Sequence, residues 1–257
     1  MKVLITGSNG YIGSSLFRGL KDTHKITLLT REMVNLLEPN DVDEFFSDKF
    51  FDVIIHCASV GGNRLHEDSN EVTDQNLKIY QNIHNNKNHF NKLISFGTGV
   101  ELSETTPYSI GKRLVRDSIV ETPNFYNIRV YAVFDENELD RRFIKSNLMK
   151  CINGEPMVIH QNKYMDFFYM GDLINLVKYY ISESNLLKEV DCSYKNKTTL
   201  KGITQLINKL VTKSTPTIIK KDGMGKIYVG DSLFLDKLPL TLIGLEEGIK
   251  ITYNKCI

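Results

Sequence analysis

The chain has 257 residues and carries 32 Lys and Arg against 31 Asp and Glu, a formal net charge of +1. That balance gives no electrostatic reason to bind bulk nucleic acid or an anionic membrane, and the longest nearly apolar stretch, around Val53 to Val60, is too short to span a bilayer. The expectation is a soluble cytoplasmic protein of one large domain, or one domain with a small appendage, with neither nucleic acid nor membrane as partner. Cys57, Cys151, Cys192 and Cys256 stand far apart without a C-x-x-C pair, so reduced thiols are expected in place of disulfides, and no metal site.

In chain order, a strand over Lys2 to Thr6 leads through a glycine-rich turn into a helix from about Tyr11 to Lys21. There follow a strand from Ile26 to Leu29, an apolar pattern at Val42 to Phe46 and a strand from Val53 to Cys57. A polar helix near Thr73 to Lys87, a strand from Leu93 to Phe96, a helix near Tyr108 to Val120 and a strand from Tyr126 to Val133 complete the run. Strand-length apolar runs alternating with helical patterns are the rhythm of an α/β fold, a doubly wound parallel sheet with its ligand crevice at the strand carboxyl ends. Past Asp135 the pattern predicts a helix from Leu139 to Asn153, short strands at Pro156 to His160 and Phe167 to Met170, and a helix from Leu173 to Ser182. Residues 1–135 are read as the dinucleotide-binding domain. Residues 136–257 are read as a small α/β substrate lobe, partly interleaved with it, that caps the crevice and supplies the substrate half of the site.

Gly7, Gly10 and Gly13 give the spacing G-x-x-G-x-x-G directly after the first strand. Glycines suit a sharp strand-to-helix turn, because side chains there would keep a pyrophosphate from the amides at the helix N-terminus. About a hundred residues later, Tyr108 and Lys112 stand four apart and share one helix face. An ammonium beside a phenol favours the phenolate, which suits the tyrosine to acid and base work, and the same lysine can reach a cofactor ribose. A hydroxyl at the end of the preceding strand should polarise a carbonyl alongside the tyrosine. Thr98 fits, whereas Ser95 sits earlier in the strand. Asn76, on the polar helix, is read as a ligand of main chain or of an ordered water.

Together these residues resemble the extended short-chain dehydrogenase/reductase family (the NAD-dependent epimerase/dehydratases), and within it the GDP-fucose synthase type of 4-keto sugar reductase. The segments that carry the likeness are 29–37, His56-Cys57-Ala58-Ser59-Val60-Gly61-Gly62, Asp74-Gln75-Asn76, Lys92 to Thr98, and a closing helix at 244–250. The resemblance implies a Rossmann fold, a nicotinamide dinucleotide, a nucleotide-sugar substrate, a catalytic triad of Thr98, Tyr108 and Lys112, and a homodimer paired through two helices. Cofactor contacts are then expected from Gly7, Asn9, Gly10, Tyr11, Ile12, Gly13, Arg31, Leu36, Cys57, Ala58, Ser59, Asn76, Tyr108 and Lys112. Substrate contacts are expected from Thr98, Gly99, Tyr108, Arg141 and Arg142. Arg31 after the second strand suits the 2′-phosphate of NADP, while the adjacent Glu32 suits NAD, the lesser expectation.

The departures narrow the reaction. Family members that dehydrate sugars resemble one another in a Thr-Asp-Glu run, but here it is Thr98-Gly99-Val100, with no carboxylate for elimination. Val100 stands where fucose synthases carry an epimerising cysteine, and Arg142 where they carry a histidine. Reduction of a 4-keto-6-deoxyhexose without epimerisation is therefore expected, with a 4-epimerase or a non-catalytic cofactor sensor as alternatives. Only ten positions separate Thr98 from Tyr108, so one loop is trimmed. Met165 replaces an arginine that relatives use on the nucleotide, a task that Arg141, Arg142 or Lys145 could take over.

Overall fold

The computed structural model describes residues 1–62, 68–103 and 105–257. These form two compact units, one of residues 1–129 and 177–190, the other of residues 130–176 and 191–257. The chain therefore passes from one unit to the other at three points.

The first unit is built on strands β1 (Lys2–Thr6), β2 (Lys25–Leu29), β3 (Phe51–His56), β4 (Phe90–Thr98) and β5 (Phe125–Val130), and on the start of β9 (Glu189–Cys192). Their order in the sheet is β2-β1-β3-β4-β5-β9. β1 pairs in parallel with β2 and β3, and β3 in parallel with β4. Successive residues of β1 and β3 are buried rather than alternating, as expected where helices cover both faces of a parallel sheet. Those helices are α1 (Tyr11–Leu20), α2 (Pro39–Phe46), α3 (Glu71–Asn85) and α4 (Pro107–Glu121). α2 and α4 each open on a proline, whose fixed φ suits the first helical position. At α4 the Thr106 side chain also accepts from the Ser109 amide. A core of Leu4, Phe46, Ile54, Tyr80, Ile83, Leu93, Ile119 and Phe125 lies between sheet and helices.

The chain leaves β1 for β2 on one side and returns to β3 on the other, so the topological switch lies between β1 and β3. Open α/β sheets take their ligands at such a point.

Two expected elements change. The strand expected from Tyr126 to Val133 ends at Val130, and Val133–Phe134 forms a separate strand, β6, that pairs in parallel with β8 (Phe168–Tyr169). The apolar run has no glycine or proline to mark the break, which falls where the Ala132 carbonyl accepts from the Phe168 amide. The helix expected from Leu139 begins instead at Phe143, as α5 (Phe143–Ile152). Residues 139–142 form a turn closed by the Arg142 amide on the Leu139 carbonyl, and the Glu138 carboxyl accepts from the Lys145 amide in the first turn of α5. That acceptor fixes the helix start.

The second unit also contains β7 (Met157–Asn162) in parallel with β10 (Thr217–Met224), and helices α7 (Leu200–Asn208) and α8 (Leu245–Asn254). Ile144, Leu148, Met157, Ile159, Phe167, Ile203, Ile207 and Ile249 form its core. α6 (Met170–Ser182) begins in this unit and ends in the first. Among the described residues, no helix is long and apolar enough to cross a membrane.

Glu138 is buried, and desolvation pushes its carboxyl up from 4.5 to about 8, against the Lys145 amide and the nearby Arg142 charge. A carboxyl raised in the folded state contributes stability that is complete below its unfolded value and is lost as pH rises through the folded one. Between pH 4.5 and pH 8 this group therefore erodes stability as pH rises. Glu138→Gln keeps the acceptor for Lys145 and should remove about 2 kcal/mol of that loss, read from urea unfolding at the two ends of the window.

Candidate active site

The site is laid out by strand register. Thr6 stands opposite both Leu29 and His56, and His56 opposite Ser95, so β1 to β4 reach the same edge together. Gly7 follows Thr6 with φ +62, a left-handed conformation that glycine adopts without strain. A Cβ on Gly7 would lie 2.6 Å from the Ala58 amide nitrogen, and one on Gly13 would lie 2.5 Å from the Gly7 carbonyl oxygen. The turn after β1 thus lies against the turn after β3, with α1 packed onto the turn after β1. The Gly10 amide closes the turn on the Gly7 carbonyl at 3.0 Å.

Gly10, the N-cap of α1, offers no side-chain acceptor, and the first turn of α1 has no acidic residue. Amides at such an end suit a phosphate, so the cradle fits the pyrophosphate of a dinucleotide. Asn9 and Gly10 are exposed, and Tyr11 and Ile12 half-buried, at its rim. Arg31 is exposed just past β2, whereas Leu36 packs its side chain against the core. Cys57 and Ala58 are half-buried and Ser59 exposed at the exit of β3. Asn76 is fully engaged. Its oxygen accepts from the Ser59 hydroxyl and the Val60 amide, and its nitrogen donates to the Val60 and Val72 carbonyls. It braces the turn after β3, with no donor or acceptor left for a ligand.

Beneath the cradle, Thr6 Oγ1 lies 2.9 Å from His56 Nδ1 and accepts from the Ala58 amide at 3.3 Å. Burial, aided by the Lys112 charge, brings the His56 imidazole down to about 3. Burial pushes the Cys57 thiol up to about 12, so it is no thiolate nucleophile near neutral pH.

Tyr108 and Lys112 sit one turn apart near the start of α4, both half-buried. Lys112 Nζ donates to the Phe96 carbonyl at 2.9 Å and lies 5.9 Å from the Tyr108 ring centroid. Thr98 ends β4, and Gly99 opens the short 3-10 turn Gly99–Leu102. Ser95 is buried in the body of the strand. α3 steadies α4, the Thr73 hydroxyl donating to the Pro107 carbonyl at 2.7 Å.

Two features were not expected from the sequence. Gly62, at φ +72, lies against the phenol, since a Cβ there would be 2.9 Å from Tyr108 Cζ; its amide is held by the Asp68 carboxylate. Glu101 is a buried carboxylate that caps Thr98, and the spacing Thr98-x-x-Glu101 is the capping-box pattern that would have found it.

Of the residues expected at the substrate, Arg141 and Arg142 belong to the second unit and are exposed immediately before α5. Lys145 donates to the Glu136 carbonyl and contacts Cys256, and Met165 is buried in that unit's core.

The family model for the NAD dependent epimerase/dehydratase family matches residues 3–190. The chain belongs to that family. Membership makes this epimerase/dehydratase-family chain an NAD(P)-dependent oxidoreductase. Among solved structures, it is similar to the GDP-mannoheptose C4 reductase MlghC from Campylobacter jejuni with NADP bound, at 15% identity over 99% of this chain and 98% of that one, with a TM-score of 0.84. It is similar to a GDP-L-fucose synthetase from Naegleria fowleri bound to NADP, at 16% identity over 98% and 91%, with a TM-score of 0.77. It is also similar to a UDP-glucuronic acid 4-epimerase from Bacillus cereus in complex with UDP-glucuronic acid and NAD, at 17% identity over 99% and 98%, with a TM-score of 0.71. At these identities the likeness shows a shared fold. Among curated proteins, none matches the chain.

His56 is neutral in the folded protein and takes a proton once unfolded below its ordinary 6.5. Its contribution is therefore complete above pH 6.5 and is lost as pH falls toward 3. His56→Gln keeps a partner for Thr6 and should flatten this acid limb by about 2 kcal/mol, measured by urea unfolding across the window.

Proposed function

We propose that the protein reduces the 4-keto group of a nucleotide-linked 4-keto-6-deoxyhexose with NADPH, without epimerisation. The observation that carries the reading is the joint placement of Tyr108 and Lys112 on one turn of α4 beside the end of β4, where Thr98 stands. The glycine cradle at the end of β1 fits the cofactor's pyrophosphate. The cofactor, when bound, supplies the hydride. Tyr108 gives its phenolic proton to the carbonyl oxygen as it becomes an alkoxide, and Thr98 donates a hydrogen bond to the same oxygen. Lys112, held at the Phe96 carbonyl, keeps its ammonium 5.9 Å from the Tyr108 ring centroid and is assigned to the cofactor ribose.

Val100 cannot carry a proton, which removes the epimerising step. Glu101, although adjacent, is buried among Arg129, Asn127 and the Thr98 amide and is not placed for elimination chemistry. Exposed Arg31 and the NADP-bound enzymes of similar fold favour NADPH. Arg141 and Arg142 are assigned to the substrate diphosphate, and the enzyme is read as a homodimer.

A second reading, a 4-epimerase using NAD, draws support from Glu32. This exposed carboxylate lies just past β2, and a hydrogen bond from Thr30 holds its pKa below the ordinary value. A fixed carboxylate there suits a ribose 2′-hydroxyl.

Oxidation of NADPH and NADH is to be followed with GDP-, dTDP-, UDP- and CDP-linked 4-keto-6-deoxyhexoses. Turnover with NADPH on one sugar is expected, and stoichiometric copurified NAD with no net turnover would favour the epimerase. Tyr108→Phe should lower kcat by at least about 10²-fold with NADPH affinity retained. Activity that survives it removes Tyr108 from the reaction. Arg31→Ala should weaken NADPH about tenfold and leave NADH nearly unchanged; equal effects on both would reassign the 2′-phosphate site.

A further inference from the structure

Directly below Thr98 lies a charged group with no part in the reaction as drawn. Glu101 is 1% exposed, and the donors to its carboxylate come from the end of β4 and from β5. Oε2 accepts from the Thr98 amide at 3.0 Å, while Oε1 accepts from Arg129 Nε at 2.8 Å and Asn127 Nδ2 at 2.9 Å. A Cβ on Gly97 would lie 2.6 and 2.7 Å from the two carboxylate oxygens, so the acid fits only because that residue is glycine.

The connection continues outward. Arg129 also pairs with Glu189, whose second oxygen takes Arg116, and Arg113 Nε donates to the Glu101 carbonyl at 2.7 Å. Arg113 and Arg116 are both on α4, one and four residues beyond Lys112. The end of β4 and the helix that carries Tyr108 are thus tied through one set of charged hydrogen bonds.

Stability does not account for this arrangement. Desolvation offsets most of the attraction in a buried ion pair, and apolar side chains of similar volume generally serve a fold as well. Nor does a four-residue 3-10 turn need an arginine-backed acid for its cap. What the carboxylate does supply is a fixed backbone position for Thr98 relative to α4.

We propose that Glu101 is a positioning residue for the reaction, holding the Thr98 hydroxyl in register with Tyr108 so that both meet one carbonyl oxygen. The proposal rests on the reading of Thr98 and Tyr108 given above. Glutamine cannot replace the acid. Donors converge on it from both sides, so whichever way an amide is turned, its own NH2 faces another donor.

The test uses the whole 257-residue chain, with NADPH titrated by fluorescence and the 4-keto sugar panel as substrate. Glu101→Gln should bind NADPH within about threefold of the parent, keep KM within about threefold and lose about 10²-fold in kcat, the scale of a displacement near 1 Å at a reacting group. Its Thr98 amide should exchange with deuterium at least about tenfold faster, with exchange in the body of β4 unchanged. The double variant E101L/R129M should regain the parent melting temperature by apolar packing and still lack turnover, which a purely structural role would not predict. Turnover of Glu101→Gln within threefold of the parent, or turnover that returns with stability in the double variant, overturns the proposal. If the parent turns over no sugar in the panel, it is the catalytic reading that fails. Exchange at Thr98 then decides the positional claim: faster exchange in Glu101→Gln upholds it, and unchanged exchange overturns it.

Discussion

The contact on which the first unit's site depends is between two backbones. The turn after β1 and the turn after β3 approach so closely that a single methyl at Gly7 would overlap the Ala58 amide. That approach is possible because β1 and β3 are adjacent parallel strands ending in register, and because the residues meeting there have no side chain or a small one. The Thr6 hydroxyl, between His56 and the Ala58 amide, pins the pair from below. The cradle, the fully engaged Asn76 and the placement of Ala58 and Ser59 all follow from it.

Polar groups buried under this surface position their neighbours. His56 is stripped of charge by burial and by the Lys112 ammonium, Asn76 uses its whole hydrogen-bonding capacity on one turn, and Glu101 is surrounded by donors. Buried polar groups are tolerated only when satisfied, and once satisfied they admit few alternative arrangements. Rigidity at the strand ends suits the proposed reaction, in which a proton and a hydride must reach the two ends of one carbonyl bond.

Much of this was legible in the sequence, and the limits are physical. β1, α1, β3 and α4 announce themselves because strand-length apolar runs, helical patterns and glycine spacing are local signals. The Tyr108 and Lys112 pair is local too, four residues on one helix. The break between β5 and β6 was hidden, because an unbroken apolar run has the same appearance whether it serves one sheet or two. The late start of α5 was hidden because Glu138 caps it from outside the helix, a relationship no periodicity records. Glu101 had a local signature in its spacing from Thr98, but its importance lies in Arg129, Asn127 and Glu189, distant in sequence. Gly62 against Tyr108, with Asp68 on its amide, had no local signal at all.

The three crossings between units have a consequence for synthesis. Domains generally fold as units as the chain emerges from the ribosome, but the first unit here needs residues 177–190, including the end of α6 and the start of β9. Its sheet lacks an edge strand until the whole of the second unit's early segment, residues 130–176, has already been made. The first unit's sheet therefore closes only after the second unit has been begun, and a nascent chain halted before Glu189 presents β5 without its neighbour β9.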